Sequence, residues 1–212
     1  MRIGIVTDST ADVSTADDPP EIVAQHQIEV IPAIIVMEGK SLVDGKDISR
    51  GEFYEKLPTL ETLPTTAAPS SGAFHSAYER LFQEGAQAIL SLHVASQLSG
   101  MYNTAKMAAQ AFGKTQSLSV EKIIHHLQAV RDKIRVIAML DTLENIRRSG
   151  RVSWLTARIG SLLNIKLFVE VLDGAVLNLG QARTRRKGIA HLEELIRKLG
   201  KLERLAILHS NG

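Results

Sequence analysis

The chain has no cysteine among its 212 residues. That absence excludes disulfides, thiolate metal sites and cysteine nucleophiles. Aromatic residues make up only 4% of the sequence, so Leu, Ile, Val and Ala must line whatever interior exists. There is no long apolar run and no basic-plus-apolar leader, and the expectation is a cytoplasmic protein without stable membrane insertion. No Gly-x-Ser-x-Gly elbow, Walker loop, zinc-finger spacing or metal-ligand cluster occurs, so neither a metal nor an organic cofactor is expected. The basic residues are not interleaved with aromatics, which disfavours nucleic acid as a partner.

Hydrophobic residues reach 44%, enough for one large domain or two modest ones with a real core. The net charge of +2 is unevenly placed. Residues 1–130 carry 9 Lys and Arg against 15 Asp and Glu, and residues 131–212 carry 16 against 8. A basic half suits an acidic partner or an anionic ligand, or serves solubility alone.

Strand-like runs at Ile3–Val6, Ile28–Val36, Ala88–Leu92, Ile134–Leu140 and Leu205–Leu208 alternate with helical patterns. One stripe is Phe74, Ala77, Tyr78, Leu81 and Phe82; a second is Tyr102, Ala105, Ala108, Ala109 and Phe112. A helix capped by Ser119 puts Val120, Ile123, Ile124, Leu127 and Val130 on one face, and a later one buries Ile189, Leu192, Leu195, Ile196 and Leu199. Alternation of this kind predicts an α/β fold with a mostly parallel sheet. The texture then changes: Asp173-Gly174 sits between two strand-like runs, a hairpin signal. The expectation is an α/β domain over 1–140 and a smaller α+β domain over 141–212.

Three hydroxyl-rich turns follow strands or precede helices. They are Asp8-Ser-Thr-Ala-Asp12, Pro64-Thr-Thr66 with Pro69-Ser70, and Leu98-Ser-Gly100. Strand-exit turns of an open parallel sheet gather along one edge. Ser99-Gly100 before a helix offers a hydroxyl and free backbone N–H groups where the dipole favours an anion. Each turn is equally well read as an ordinary helix cap. Downstream, Arg147, Arg148 and Arg151 stand in a polar junction, Arg183-Thr-Arg-Arg-Lys187 precedes a helix, and His209 ends a strand-like run.

These motifs, in this order, resemble the DegV family of bacterial fatty-acid-binding proteins: Thr7-Asp-Ser-Thr-Ala-Asp12, Pro64-Thr-Thr66 with Pro69-Ser70, Leu98-Ser-Gly100 with Tyr102, Ser149-Gly-Arg-Val-Ser153, Arg183-Thr-Arg185 and His209. The resemblance implies a two-domain α/β protein with one long-chain fatty acid in a tunnel between its domains. It also implies a non-catalytic subunit that presents the acid to a separate dihydroxyacetone-kinase-like ATP-binding subunit for acyl phosphate formation. Carried over by motif, Thr66 and Ser99 with the Gly100 amide hold the carboxylate, and Arg183 and His209 complete or approach that network. Arg147, Arg148 and Arg151 are the expected face for the kinase subunit.

The chain departs from the family pattern at Ala67, Ala68 and Met101, which replace two hydroxyls and an amide. Between Lys114 and Thr115 a strand, an Asp-Ser turn and a helix of the family are absent, and the chain stops just beyond His209, short of the family's C-terminal portion. Two other functions stay open. One is a free-standing hydrolase or phosphotransferase using Asp8, Ser9 and His209. The other is a basic regulatory protein acting through its arginines.

Overall fold

The computed structural model describes residues 1–11, 13, 21–112, 118–142, 146, 149–150 and 165–207. The chain divides into two compact units, one of Met1–Ile134 with Asp173–Ala175 and one of Arg135–Leu172 with Val176–Gly212.

The first unit is built on strand β1, Ile3–Asp8, which pairs in parallel with β2, Glu29–Ile31, on one side and β6, Ala88–Ser91, on the other. Along Ile3-Gly-Ile-Val6 the burial alternates, Gly4 and Val6 being buried and Ile3 and Ile5 half-buried. The helix packed on it is α3, Ser71–Gln83, with Phe74, Ala77, Tyr78 and Leu81 buried as the sequence stripe requires. Its N-terminus is capped by the Ser70 hydroxyl, which accepts from the Ala73 amide at 3.3 Å. Gly4 permits the close approach: a Cβ there would sit 3.1 Å from Leu81 Cδ1.

Helix α4, Met101–Gln110, adds Met101, Ala105 and Ala108 to the same core. The expected stripe is shifted at its start. Met101 is 2% exposed, whereas Tyr102 is 45% exposed, because the helix begins at Met101 and the Met101–Ala105–Ala108 spacing faces the sheet.

The single strand expected over Ile28–Val36 is divided. Pro32 has no N–H to donate to a ladder, and the chain leaves the parallel sheet there. The Ala33 amide bonds to the Ser9 hydroxyl at 2.9 Å instead. The chain re-enters as β3, Ile34–Met37, which joins β4, Lys40–Val43, and β5, Thr65–Ala67, in an antiparallel sheet ordered β4-β3-β5. Glu38 and Gly39 both have positive φ, as the tight β3–β4 hairpin demands. Ile35, Met37 and Ile48 form a small core, with Leu42, Phe53 and Leu60 packed against it. Helices α1, Glu21–His26, and α2, Arg50–Lys56, are short. Helix α5, Leu118–Arg131, places Ser119 within its first turn rather than at the cap, and Ile124 and Val130 on its expected apolar face are exposed.

The second unit has an antiparallel sheet of β7, Val136–Leu140, β8, Lys166–Leu172, and β9, Ala175–Ala182, in that order. The expected boundary at residue 140 puts β7 in the first domain, whereas its register from Val136↔Val171 to Leu140↔Leu167 pairs it with β8. Asp173 and Gly174, at φ 48° and 77°, make the predicted β8–β9 turn. Helix α6, Arg185–Lys198, lies on this sheet: Phe168 meets His191 edge to face at 4.7 Å, and Gly188 is buried beside Met139. Ile189, expected on the buried face, is exposed. Residues 205–207 form no strand, and Ile207 is 80% exposed; Leu208 lies outside the described residues. A strand needs a hydrogen-bonding edge beside it, and no described strand pairs with this segment.

Phe74→Ala is expected to destabilise the first unit by about 3–5 kcal/mol. Met107→Ala, on the open side of α4, should stay within about 0.5 kcal/mol. Urea midpoints check both.

Candidate functional site

β1 ends on Asp8, whose carboxylate is 1% exposed. A buried carboxylate is costly unless its oxygens are met by donors. Oδ1 accepts from the Thr10 amide at 3.0 Å and from the Thr10 hydroxyl, and Oδ2 accepts from His93 Nδ1 at 2.7 Å. Burial alone raises the Asp8 pKa, but the bonds from His93 and Thr10 outweigh it and hold the carboxyl below its ordinary value.

The network continues inward. His93 Nε2 lies 2.7 Å from Ser91 Oγ, and Ser91 Oγ lies 2.9 Å from the Tyr78 hydroxyl on α3. Tyr78 in turn stands 3.5 Å from the Ala105 carbonyl on α4. Burial raises the Tyr78 pKa, opposed by its bond with Ser91. Two further bonds stitch the β1 and β6 exits together: Thr7 Oγ1 to the Leu92 carbonyl at 3.0 Å, and the Leu92 amide to the Val6 carbonyl at 2.9 Å. The Ser9 carbonyl accepts from Arg50 Nη2 at 2.9 Å.

From this edge the chain runs through residues 93–100 into α4. Ser99 Oγ accepts from the Met101 amide at 3.4 Å, and Gly100 is the N-cap residue. Ala68 faces that start of α4: a Cβ on Gly100 would lie 3.7 Å from the Ala68 Cβ. The stretch that includes Thr66 on β5 is thereby brought toward Ser99 and Gly100. Thr66 stands opposite Ile35, is exposed, and its hydroxyl has no partner among the described residues. Met101 and Ala68, two positions of departure from the family pattern, both pack into the core of the first unit.

Arg183 stands on the link between β9 and α6 in the second unit, exposed and without an ion pair among the described residues. Its neighbour Thr184 caps α6, accepting from the Lys187 amide at 3.3 Å. Arg185 pairs with Asp141, Nη1 to Oδ2, at 2.8 Å. His209, Arg147, Arg148 and Arg151 lie outside the described residues.

Asp8 and Ser9, two residues of the hydrolase or phosphotransferase alternative, are engaged structurally, Asp8 by His93 and Thr10 and Ser9 by the Ala33 amide. Sequence reasoning missed the His93–Ser91–Tyr78 part of the network. The signal was present, because Ser91 and His93 are two apart and so share one face of an extended chain. Among the described residues there is no group of three or more metal-ligating side chains, and no helix is long and apolar enough to cross a membrane.

Because the Asp8 pKa is lowered in the folded state, its stabilisation is complete above the unfolded-state value near 3.8 and is lost as pH falls through the folded value. Asp8→Asn is expected to destabilise the protein by about 1–3 kcal/mol at neutral pH, since the amide turns an NH2 group toward one of the buried donors from His93 or Thr10 and leaves it unsatisfied. The variant should also show a weaker loss of stability below the ordinary carboxylate range. Urea midpoints measured from neutral to acid pH check both effects.

The sequence and the fold are similar to those of known proteins. The sequence model of the DegV family, described as uncharacterised, matches residues 2–118 and 114–212. A DegV domain-containing protein of Listeria innocua is 31% identical over 238 aligned positions, covering 100% of this chain and 83% of its own. That alignment is longer than the chain, and the two family matches overlap over residues 114–118. Among solved structures, a DegV family protein of Thermus thermophilus described for its fatty acid binding superposes with a TM-score of 0.78 at 28% identity, covering 94% of this chain and 78% of that one. DegV of Bacillus subtilis, described as a fatty acid binding protein, gives 0.74 at 28% identity, covering 93% and 78%. With a family match running from residue 2 to residue 212 and this fold, the chain belongs to the DegV family.

Proposed function

We propose that the chain binds a long-chain fatty acid, with the carboxylate seated at the Thr66 and Ser99 hydroxyls and the Gly100 amide. Arg183 and His209 complete the surroundings of the anion. The observation that carries this reading is the likeness to the Thermus thermophilus protein described for its fatty acid binding, at 28% identity and a TM-score of 0.78.

The local chemistry supports the seat. The Thr66 hydroxyl is exposed and has no partner among the described residues, so it is available to donate. Ser99 and Gly100 precede the first turn of α4, where backbone N–H groups and the helix dipole favour negative charge. Hydroxyls, an amide and a cation replace the water that a carboxylate gives up on burial, and bonds to a charged acceptor are the stronger kind. Ala67, Ala68 and Met101 bring no side-chain donor, so the first unit's share of the seat rests on Thr66, Ser99 and Gly100. The alkyl chain is held by aliphatic side chains, in keeping with the low aromatic content.

In this reading the chain is not itself an enzyme. It presents the acid to a separate dihydroxyacetone-kinase-like ATP-binding subunit. There a carboxylate oxygen attacks the γ-phosphorus, ADP leaves, and acyl phosphate forms. Arg147, Arg148 and Arg151 are the docking face, because clustered arginines steer an acidic partner without a large apolar patch.

Thr66→Ala and Ser99→Ala should each weaken fatty acid binding by about 1.5–3 kcal/mol, the worth of a hydrogen bond to a charged group. Calorimetric titration with oleate checks this; unchanged affinity in the double variant, with its circular dichroism intact, rules the seat out. Reversal of Arg147 and Arg148 to Glu should lower kinase-dependent acyl phosphate formation in a salt-sensitive way and leave oleate affinity unchanged. Equal loss of both would place these arginines in the ligand site or the fold. Acyl phosphate formed from this chain and ATP alone would contradict the non-catalytic role.

A further inference from the structure

The Asp8–His93–Ser91–Tyr78 chain has a property that a simple structural brace lacks: it can be fully hydrogen-bonded in two opposite directions. An ionised carboxylate only accepts, so His93 Nδ1 carries its hydrogen and donates it to Asp8 Oδ2 at 2.7 Å. The rest of the chain is then set by Nε2. With a neutral ring, Nε2 accepts the Ser91 hydrogen across 2.7 Å, and the Ser91 oxygen accepts the Tyr78 hydrogen across 2.9 Å. The Ala105 carbonyl, 3.5 Å from the phenol, receives nothing from Tyr78 in that state.

With a protonated ring every bond beyond Nδ1 turns around. Nε2 donates to Ser91, Ser91 donates to the Tyr78 oxygen, and the Tyr78 hydrogen turns to the Ala105 carbonyl of α4. We propose that this chain is a proton-operated polarity switch, in which one proton taken up at His93 reverses the hydrogen bonds through Ser91 and Tyr78 and adds a bond from α3 to α4.

Three observations favour a switch over a fixed brace. Each member has a partner in both directions, and among the described residues no buried side-chain N or O atom is left without one. The His93 side chain is 1% exposed and Tyr78 is buried, so little water competes at either end of the reversed bonds. The electrostatics also permit the second state, because a proton at His93 converts a lone buried negative charge into a neutral pair.

The groups that face the ring are few. β1 brings Asp8, and β6 brings Ser91. α3 brings Tyr78 as well as Phe74, whose ring meets the imidazole at 87° and 5.3 Å. α4 brings the Ala105 carbonyl, and α2 brings Arg50 only as far as the Ser9 carbonyl. β2 places Ile31, which is uncharged, opposite Asp8. The switch thus reports on one proton, and its far end is the helix that starts at Ser99–Gly100. It stands independently of what the protein binds.

The test is a proton and carbon NMR titration of the whole chain, with the His93 signal assigned by its loss in His93→Gln. In the wild-type protein the Tyr78 Cζ resonance is expected to move with the same midpoint as His93, because the phenol changes from donating to Ser91 to donating to Ala105. In Tyr78→Phe the protonated state alone leaves the Ser91 hydrogen without an acceptor. The His93 midpoint should therefore fall by about one unit, a tenfold loss of proton affinity. A Tyr78 resonance that does not follow His93 in the wild-type protein overturns the proposal. So does an unchanged His93 midpoint in a folded Tyr78→Phe.

Discussion

The carboxylate of Asp8 is the constraint on which the first unit turns. It is withdrawn from water at the exit of the central strand, and a charge in that position is tolerated only while its donors stay in place. His93 comes from the exit of β6 and Thr10 from the turn that follows β1, so the burial of one group fixes two strand exits at once. His93 then reaches α3 through Ser91 and Tyr78. The hydrophobic core supplies most of the driving force through Val6, Phe74, Leu81 and Met101, but it is indifferent to direction. The polar chain supplies the register that oily contacts leave undetermined.

What this register positions is the segment leading into α4. Ser99 and Gly100 lie six and seven residues past His93, so the anchored strand exit delivers them to the helix start. A Cβ on Gly100 would make only an ordinary 3.7 Å contact with the Ala68 Cβ, so the end of the β5 segment lies near the helix start. Thr66 is thus carried on β5, and Ser99 and Gly100 on the turn that enters α4.

Much of this was legible in the residues because the signals were local. Phe74, Ala77, Tyr78 and Leu81 fall at helical spacing and are buried together. Asp173-Gly174 predicted its hairpin, since two consecutive positive φ values suit those residues. Ile28–Val36 is an apolar stretch that reads as one strand, and Pro32, directly after β2, was the cue to divide it. Two failures have non-local causes. The shift from Tyr102 to Met101 depends on where α4 meets the sheet, and the exposure of residues 205–207 depends on whether a strand edge stands beside them. Nothing along the chain pairs His93 with Asp8, which is 85 residues away, because pattern reading does not see across a parallel sheet.

Membership of the DegV family and the likeness to two proteins described as fatty acid binding converge with a strand-exit edge rich in donors. Native mass spectrometry of the protein purified from a bacterial host tests the proposed function most directly. The expected result is a chain carrying the added mass of one long-chain fatty acid, removed by delipidation and restored by oleate. A bare chain that also fails to take up oleate after delipidation, while remaining folded, would contradict it.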